Sequence, residues 1–592
     1  MDEGDAVKFD ADQLAAIMTS APRVLVVAGP GSGKTTTLIG RVRYMVEQMR
    51  ISPGRIVCLS FTRYATSTVR ARLPATCSGV HATTLHSFCL RLLMEYGSNL
   101  GYERNWLSIA TDEDIELDER EVLSDLGIIR KTPRGKWTWR KASKKSWDAL
   151  KMGLTSGTIT DKQASETMPD LYPAWVGTLS RLRAQNVLTF GTILYEAYTL
   201  LQDRKVLMHY RERFNHFLID EFQDTSHVQF SIIMRLVEAA SPQTLWMCGD
   251  VRQSLYSWRA ASPDIMRAEA DKDATTVYPL ANCYRFGKNI ARPANALIAH
   301  NPSDCIGGDI KPRGATDGEF VVSEDTSLDE TADQIQETIT AGVEPQDIAV
   351  LCRQHAPLDA LHTILKRRGV PCRKLGTIKA LRGRAEFRAI MGYIRLAVNP
   401  YDRSAFMAVT ATEGLSESAI LKLREKAFLE NTSLYAAYGH AETFPKTLDE
   451  VRTYIAKTDP LGEYGEAIEY LLVFCHSNGC VEPWDIVEAI GLYSVQDELR
   501  TLGNEVRLAT VHCMKGAEAD YVWFIGMNEG VSPSQQSVNN DNLDEETRVA
   551  FVGVTRAKIR MVCHHSILDG VMRYNTGPSK PSRFLAWMEE DA

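Results

Sequence analysis

The run Val24-Leu25-Val26-Val27, leading into Ala28-Gly29-Pro30-Gly31-Ser32-Gly33-Lys34-Thr35-Thr36-Thr37, leaves this chain few folds to choose from. Four apolar residues followed by a small-residue turn and a helix-forming stretch read as a buried strand entering a crossover helix. That pattern belongs to parallel α/β sheets. The small residues let successive backbone N–H groups turn inward around a chain of phosphates, while Lys34 adds positive charge and Thr35 offers a hydroxyl to Mg²⁺. Ala28 stands where the strict pattern has glycine, at a position that needs small size more than a particular φ.

A phosphate cradle needs negative charge facing it. Phe217-Leu218-Ile219-Asp220-Glu221-Phe222-Gln223-Asp224-Thr225 supplies it, as an apolar strand ending on two adjacent carboxylates. Asp220 is placed to hold Mg²⁺ and Glu221 to polarise a water aimed at a γ-phosphate. Farther on, Cys248-Gly249-Asp250-Val251-Arg252-Gln253-Ser254-Leu255-Tyr256-Ser257-Trp258-Arg259 ends a strand on an amide and two aromatics. Gln253 can sense the γ-phosphate, while Tyr256 and Trp258 can stack on bases without reading sequence, each stack worth roughly 1–3 kcal/mol.

At 592 residues the chain exceeds one core, and a prior of about 100–200 residues per domain gives three to five units. Apolar strands recur in two sets, Val24–Val27, Ile56–Leu59, Phe217–Ile219 and Leu245–Cys248, then Ile348–Cys352, Tyr521–Ile525 and Met561–Cys563. Two parallel sheets are expected. Between them, 89–185 and 399–499 carry apolar residues at helical spacing, as at Ile420, Leu421, Leu423 and Phe428, and read as helical insertions. The formal net charge of −8 argues against a generally basic nucleic-acid coat. No apolar run reaches membrane-spanning length and Met1-Asp2-Glu3-Gly4-Asp5 is acidic where a signal peptide is basic, so a cytoplasmic protein is expected. The twelve cysteines include no CxxC pair and read as reduced thiols.

In order and spacing these segments resemble the UvrD/Rep-type DNA helicases of superfamily 1. Phe9-Asp10-Ala11-Asp12-Gln13 is similar to the family's Q motif, which implies that Gln13 reads the adenine edge. Gly29, Pro30, Gly31, Ser32, Gly33, Lys34, Thr35 and Thr36 fall in the phosphate loop. Tyr284 and Arg285 resemble the motif that stacks on adenine and reaches the γ-phosphate. Thr510-Val511-His512-Cys513-Met514-Lys515-Gly516-Ala517-Glu518 implies a ribose contact for Glu518, and Val552-Gly553-Val554-Thr555-Arg556-Ala557 makes Arg556 a second arginine finger. The resemblance assigns Lys34, Asp220, Glu221, Gln253, Arg285 and Arg556 to catalysis, and Thr35 and Asp220 to the metal. It assigns single-stranded DNA to Phe61, Thr62, His86, Phe190, Tyr256, Trp258, Thr510 and His512. Arg548 reads as structural.

The implied architecture is two RecA-like parallel-sheet P-loop domains, each interrupted by a mostly helical insertion: 1A as 1–88 plus 186–274, 1B as 89–185, 2A as 275–398 plus 500–592, and 2B as a short 399–499. The implied activity is that of an ATP- and Mg²⁺-dependent DNA helicase, coupling hydrolysis to 3′→5′ stepping along single-stranded DNA and to duplex unwinding, by a monomer acting at single/double-strand junctions, with RNA not excluded as a track. The alternative is a DNA-stimulated translocase or ATP-gated scaffold that displaces or recruits partners without efficient unwinding. One stretch of 1B stands apart, with Arg130, Lys131, Arg134, Lys136, Arg140, Lys141, Lys144 and Lys145 interleaved with Trp137, Trp139 and Trp147. It reads either as a surface that tracks a nucleic-acid backbone or as a solvated helical face over buried tryptophans.

Overall fold

The computed structural model describes residues 8–237, 243–256, 261–412, 414–430, 432–438, 465–540, 542–568 and 580–590, with single residues 450, 453 and 571. Six strands form the first sheet: β1 (Arg23–Ala28), β2 (Ile56–Ser60), β3 (His81–Thr84), β4 (His216–Ile219), β5 (Thr244–Gly249) and β6 (Thr276–Leu280). Their order is β6-β1-β5-β4-β2-β3 and every pairing is parallel. The second sheet contains β7 (Glu319–Thr326), β8 (Ile348–Cys352), β9 (Cys372–Lys374), β10 (Val506–Thr510), β11 (Ala519–Phe524) and β12 (Ala557–Ser566). It runs β7-β12-β11-β8-β10-β9, again parallel throughout.

Strand alternation sorts the first sheet into two cores. Leu25, Val27, Phe217, Ile219, Leu245 and Met247 point to one face, and Val24, Val26, Leu218, Trp246 and Cys248 to the other. Both faces being covered explains why these strands are continuous apolar runs rather than alternating ones. The first core continues into the second half of the chain, taking in Phe387 and Ile390 of the helix Ala385–Val398 and Leu471, Phe474, Val487 and Ile490 of the 2B insertion.

One expectation needs correction. The junction between halves at 274/275 falls before β6, which pairs with β1, so the first sheet ends at Leu280. The mostly helical 1B insertion also holds two short strand pairs. Ser108–Ala110 pairs with Val187–Thr189, and Ile129–Lys131 forms an antiparallel hairpin with Trp137–Trp139. The Thr132-Pro133-Arg134-Gly135 turn, with Gly135 at φ +78°, forces the reversal. In 2B, helices Arg403–Thr412, Glu417–Leu429, Leu434–Tyr438, Gly465–Ser477 and Pro483–Gly491 follow the expected helical spacing.

The insertions lock together through buried charge. Arg395 Nη2 donates to Asp402 Oδ2 at 2.7 Å and Nη1 to Asp114 Oδ2 at 2.7 Å, while Arg403 Nη1 donates to Asp118 Oδ1 at 3.0 Å. Asn399 Nδ2 reaches Ser108 Oγ at 3.1 Å.

Candidate nucleotide and strand site

β1 delivers the phosphate loop, and the helix Lys34–Glu47 begins directly after it. Gly31 and Gly33 hold φ of +68° and +79°, which favours glycine, and a Cβ on Gly31 would lie 2.6 Å from Arg285 Cβ. Lys34 Nζ donates to the carbonyls of Ala28 (3.1 Å) and Gly29 (3.3 Å), folding it back over the loop. Thr36 Oγ1 accepts from Arg72 Nη2 at 2.9 Å. Gln13 is buried: its Oε1 accepts from the Asp10 amide (3.0 Å) in a capping box, and its Nε2 donates to the Ser32 carbonyl (3.0 Å). Its amide therefore braces the phosphate loop. Asp10 Oδ2 accepts from the Tyr284 hydroxyl (2.6 Å) and Asn282 Nδ2 (3.0 Å), tying this corner to the half-exposed Tyr284 ring.

β4 ends at the acidic pair. Asp220 donates its N–H to the Leu59 carbonyl at 2.8 Å, and Glu221 follows in the left-handed region at φ +53°, ψ +45°. For a residue with a Cβ such a backbone costs of order 1–3 kcal/mol and needs surrounding structure to hold it. Gln223 does part of this, donating from Nε2 to Glu221 Oε2 (2.6 Å) while its Oε1 accepts from the Asp250 amide (3.0 Å). Burial and the neighbouring Glu221 push Asp220 up to about 7. Burial also pushes Glu221 upward, but Lys34, Lys515, the Gln223 bond and Arg556 outweigh it and leave Glu221 below its ordinary value. One carboxyl is thus poised to take a cation and the other stays ionised.

The second half closes over this pair. Arg556 is buried, with Nε donating to the Val552 carbonyl (2.9 Å) and Nη2 to Gln253 Oε1 (3.2 Å). Asp250 Oδ2 accepts from Gln253 Nε2 at 2.8 Å, which aims the amide oxygen at the arginine. Burial and the nearby Arg285 bring Arg556 down to about 9, and among the described residues no carboxylate forms an ion pair with it. Arg285 Nε donates to Glu518 Oε2 (2.7 Å) and its Nη1 to the Thr555 carbonyl (2.9 Å). Glu518 is partly exposed and also faces Lys558 at 3.4 Å. A cleft of about 770 Å³ is lined by Gly31–Thr36, Asp220, Glu221, Gln253, Tyr284, Arg285, Glu518 and Arg556.

The strand residues fall into two groups. Phe61 lines the same cleft and stacks on Tyr256 at 4.9 Å, while Thr62 caps the helix Arg63–Arg72 by accepting from the Ala65 amide at 3.1 Å. Tyr256 is buried, its hydroxyl donates to the His512 carbonyl (3.3 Å) and accepts from Gln496 Nε2 (3.0 Å), and Lys515 Nζ lies 5.0 Å from its ring centre. The ring of Tyr256 packs on Phe61, and its hydroxyl bonds join the two halves. Trp258 lies outside the described residues. The second group is His86 stacked on Phe190 at 3.7 Å, each in the first turn of its helix. Thr189 and Thr192 form the capping box of the Phe190 helix. Thr510 is buried and donates to Cys513 Sγ at 3.1 Å, and burial brings His512 down to about 4, so its ring is neutral at pH 7.

The UvrD/REP helicase N-terminal domain matches residues 9–274, and the UvrD-like helicase C-terminal domain matches 278–430 and 482–565. The chain belongs to the UvrD/Rep helicase family. Relatives of this UvrD/Rep chain include the ATP-dependent DNA helicase PcrA of Leuconostoc citreum, 27% identical over 97% of this chain and 84% of that protein. DNA helicase II of Haemophilus influenzae is 28% identical over 92% and 82%, and the ATP-dependent DNA helicase Rep of Escherichia coli is 25% identical over 96% and 92%.

This UvrD/Rep chain also uses a residue that sequence reasoning gave no role. Lys515 Nζ donates to Asp224 Oδ2 and to the Gln253 carbonyl, both at 2.5 Å, bridging the halves beside the acidic pair. Its position three residues before Glu518, in a motif otherwise assigned to ligands, was the available signal. Burial raises Asp224 to about 6 although Lys515 opposes the shift. Because this pKa is raised above its unfolded value, ionising Asp224 costs folding stability as pH rises from about 4 to 6. In the folded protein the charged bridge to Lys515 forms as pH rises through about 6. DNA-stimulated hydrolysis is expected to rise along an acidic limb centred near pH 6, and Asp224→Asn is expected to remove that limb; an identical pH–rate profile in the variant would refute the assignment.

Proposed function

We propose that this chain is an ATP-hydrolysing DNA motor that moves 3′→5′ along one strand and separates the duplex ahead of it. The observation that carries this reading is Arg556 of the second sheet donating to Gln253 of the first, above the phosphate loop. A desolvated arginine with carbonyl and amide partners has room for an anion, and a triphosphate between Lys34, Arg285 and Arg556 would supply one. Hydrolysis spreads charge over the γ-phosphoryl oxygens, so cations delivered from the other sheet switch the reaction on only when the cleft is closed. Loss of the anion removes the bridge and lets the halves part, and repeated closure beside Phe61, His86 and Phe190 steps the protein along a strand.

Mg²⁺ fits the donor set. Thr35 Oγ1 and Asp220 Oδ2 lie 3.5 Å apart beneath the loop, and the raised Asp220 marks a buried site short of positive charge. The ion, when bound, supplies charge neutralisation at the β- and γ-phosphates. Thr35 and Asp220 would hold it, with Glu221 left to orient water.

Two measurements test the proposal together. ATP turnover is expected to rise on adding single-stranded DNA, and strand displacement is expected on duplexes with a 3′ tail and not on those with a 5′ tail. Absence of stimulation would overturn the motor reading. Stimulation without displacement on either duplex would leave translocation and remove unwinding.

A further inference from the structure

Arg252 lies in the short turn Val251–Gln253 that follows β5, and only 2% of it is exposed. None of the nucleotide chemistry described above uses it. Within the first half, its Nε donates to Asp250 Oδ1 at 2.8 Å and its backbone N–H donates to the same oxygen at 3.2 Å. Toward the second half, Nη1 donates at 2.9 Å to the carbonyl of Gly308, in a loop that leads to Ile310 of the second core. Its guanidinium carbon also lies 5.6 Å from the centre of the Phe551 ring. Phe551 belongs to the helix Leu543–Val554, whose Val552 carbonyl holds Arg556. The remaining nitrogen, Nη2, rests against Gly29 of the phosphate loop, 3.0 Å from where a Cβ there would sit. One guanidinium thus touches the phosphate loop, the acid at the end of β5 and the helix that leads to the arginine finger.

Asp250 is the point at which these contacts matter. Its amide N–H donates to Gln223 Oε1 at 3.0 Å, and Gln223 Nε2 donates in turn to Glu221. Its Oδ2 accepts from Gln253 Nε2 at 2.8 Å, and Gln253 Oε1 accepts from Arg556. A continuous run of bonds therefore joins the residue that orients water to the cation of the other half, and it passes through a single carboxylate. An untethered carboxylate turns readily about χ2 and exchanges its oxygens. With two donors of Arg252 fixed on Oδ1, Oδ2 is left for Gln253, and the amide keeps its oxygen toward Arg556.

Stability alone does not account for the pair. Both ions lose their hydration on burial, so a buried arginine–carboxylate pair is often matched or exceeded by apolar residues of similar volume. What it supplies is direction. The planar fork holds a partner on each side in fixed geometry, which an ammonium does not.

Resting on the helicase reading above, we propose that Arg252 is a positioning residue for ATP hydrolysis, fixing Asp250 so that Gln253 is presented to Arg556 when the Gly308 loop of the second half is in place. Its action runs through Gln253 and not through contact with the nucleotide.

The test is steady-state ATP turnover by the full chain with saturating single-stranded DNA, for Arg252→Lys, Gln253→Ala and the two together. Lysine keeps a cation beside Asp250 but lacks the fork that spans Oδ1 and the Gly308 carbonyl. Arg252→Lys is expected to lower kcat about tenfold, on the scale of a displaced catalytic group, while KM for ATP stays within about twofold. The double variant is expected to turn over no more slowly than Gln253→Ala alone, because one residue acts through the other. Arg252→Met is expected to lose more, about a hundredfold in kcat. Should that variant fail to fold because Asp250 is left buried and unpaired, Arg252→Lys decides the matter by itself. A wild-type kcat in Arg252→Lys, a KM that rises as far as kcat falls, or losses that multiply in the double variant would overturn the proposal. Failure of the helicase reading is separate: it would appear as turnover that single-stranded DNA does not stimulate in the unsubstituted protein, and the same comparison is then read on the unstimulated rate.

Discussion

Glu221→Gln is expected to keep nucleotide binding while the hydrolytic step falls by about 10²–10⁴, the usual contribution of a positioned general base. The amide retains an oxygen for Gln223 Nε2 to bond, now at 2.6 Å to the carboxylate, so the left-handed turn keeps its support. What disappears is the negative charge that Lys34, Lys515 and Arg556 hold ionised. Removing it from a cleft built for a polyanion also favours binding. Single-turnover hydrolysis and nucleotide affinity, measured separately, check this. Turnover within tenfold of the wild type would remove Glu221 as the base.

Arg556→Lys is expected to lower the hydrolytic rate by about 10³–10⁵, the range for an arginine finger, which corresponds to roughly 4–7 kcal/mol of transition-state stabilisation. The guanidinium makes fixed, divergent bonds to the carbonyls of Val552 and Ala517 and to Gln253 Oε1. An ammonium keeps the charge and loses that geometry. The expected signature is a fall in kcat far larger than any change in KM, with a melting temperature near that of the wild type. A raised KM with kcat unchanged would assign Arg556 to ground-state binding instead.

The catalytic residues were legible because their chemistry needs particular side chains at the ends of buried strands. Lys34 follows β1, Asp220 follows β4, and both strands are uninterrupted apolar runs. Strands lacking that signature were missed. β6 is an edge strand carrying Pro279, β7 is an edge strand whose second half is Ser323, Glu324, Asp325 and Thr326, and β10 is broken in pattern by Arg507. An edge strand needs one partner and tolerates polar residues, so hydrophobic runs do not reveal it. In the 1B hairpin the cations masked the alternation, although Pro133 and Gly135 signalled the turn. Lys515 was passed over for another reason. Its bonds, like those of the Tyr256 hydroxyl, reach the other half of the chain, which local sequence does not encode.

The shared core between the halves has a consequence for how the chain is made. The first sheet lacks an edge strand until Leu280 has been synthesised. Ile109 stays uncovered until Gly491 packs against it, and Phe387, Leu471 and Phe474 arrive late to a core that already holds Leu93 and Leu188. The N-terminal half therefore leaves the ribosome with apolar surface exposed, the condition under which nascent chains aggregate. Cutting the coding sequence between the sheets would yield two adhesive fragments rather than two domains, and their recovery in soluble form would depend on making them together.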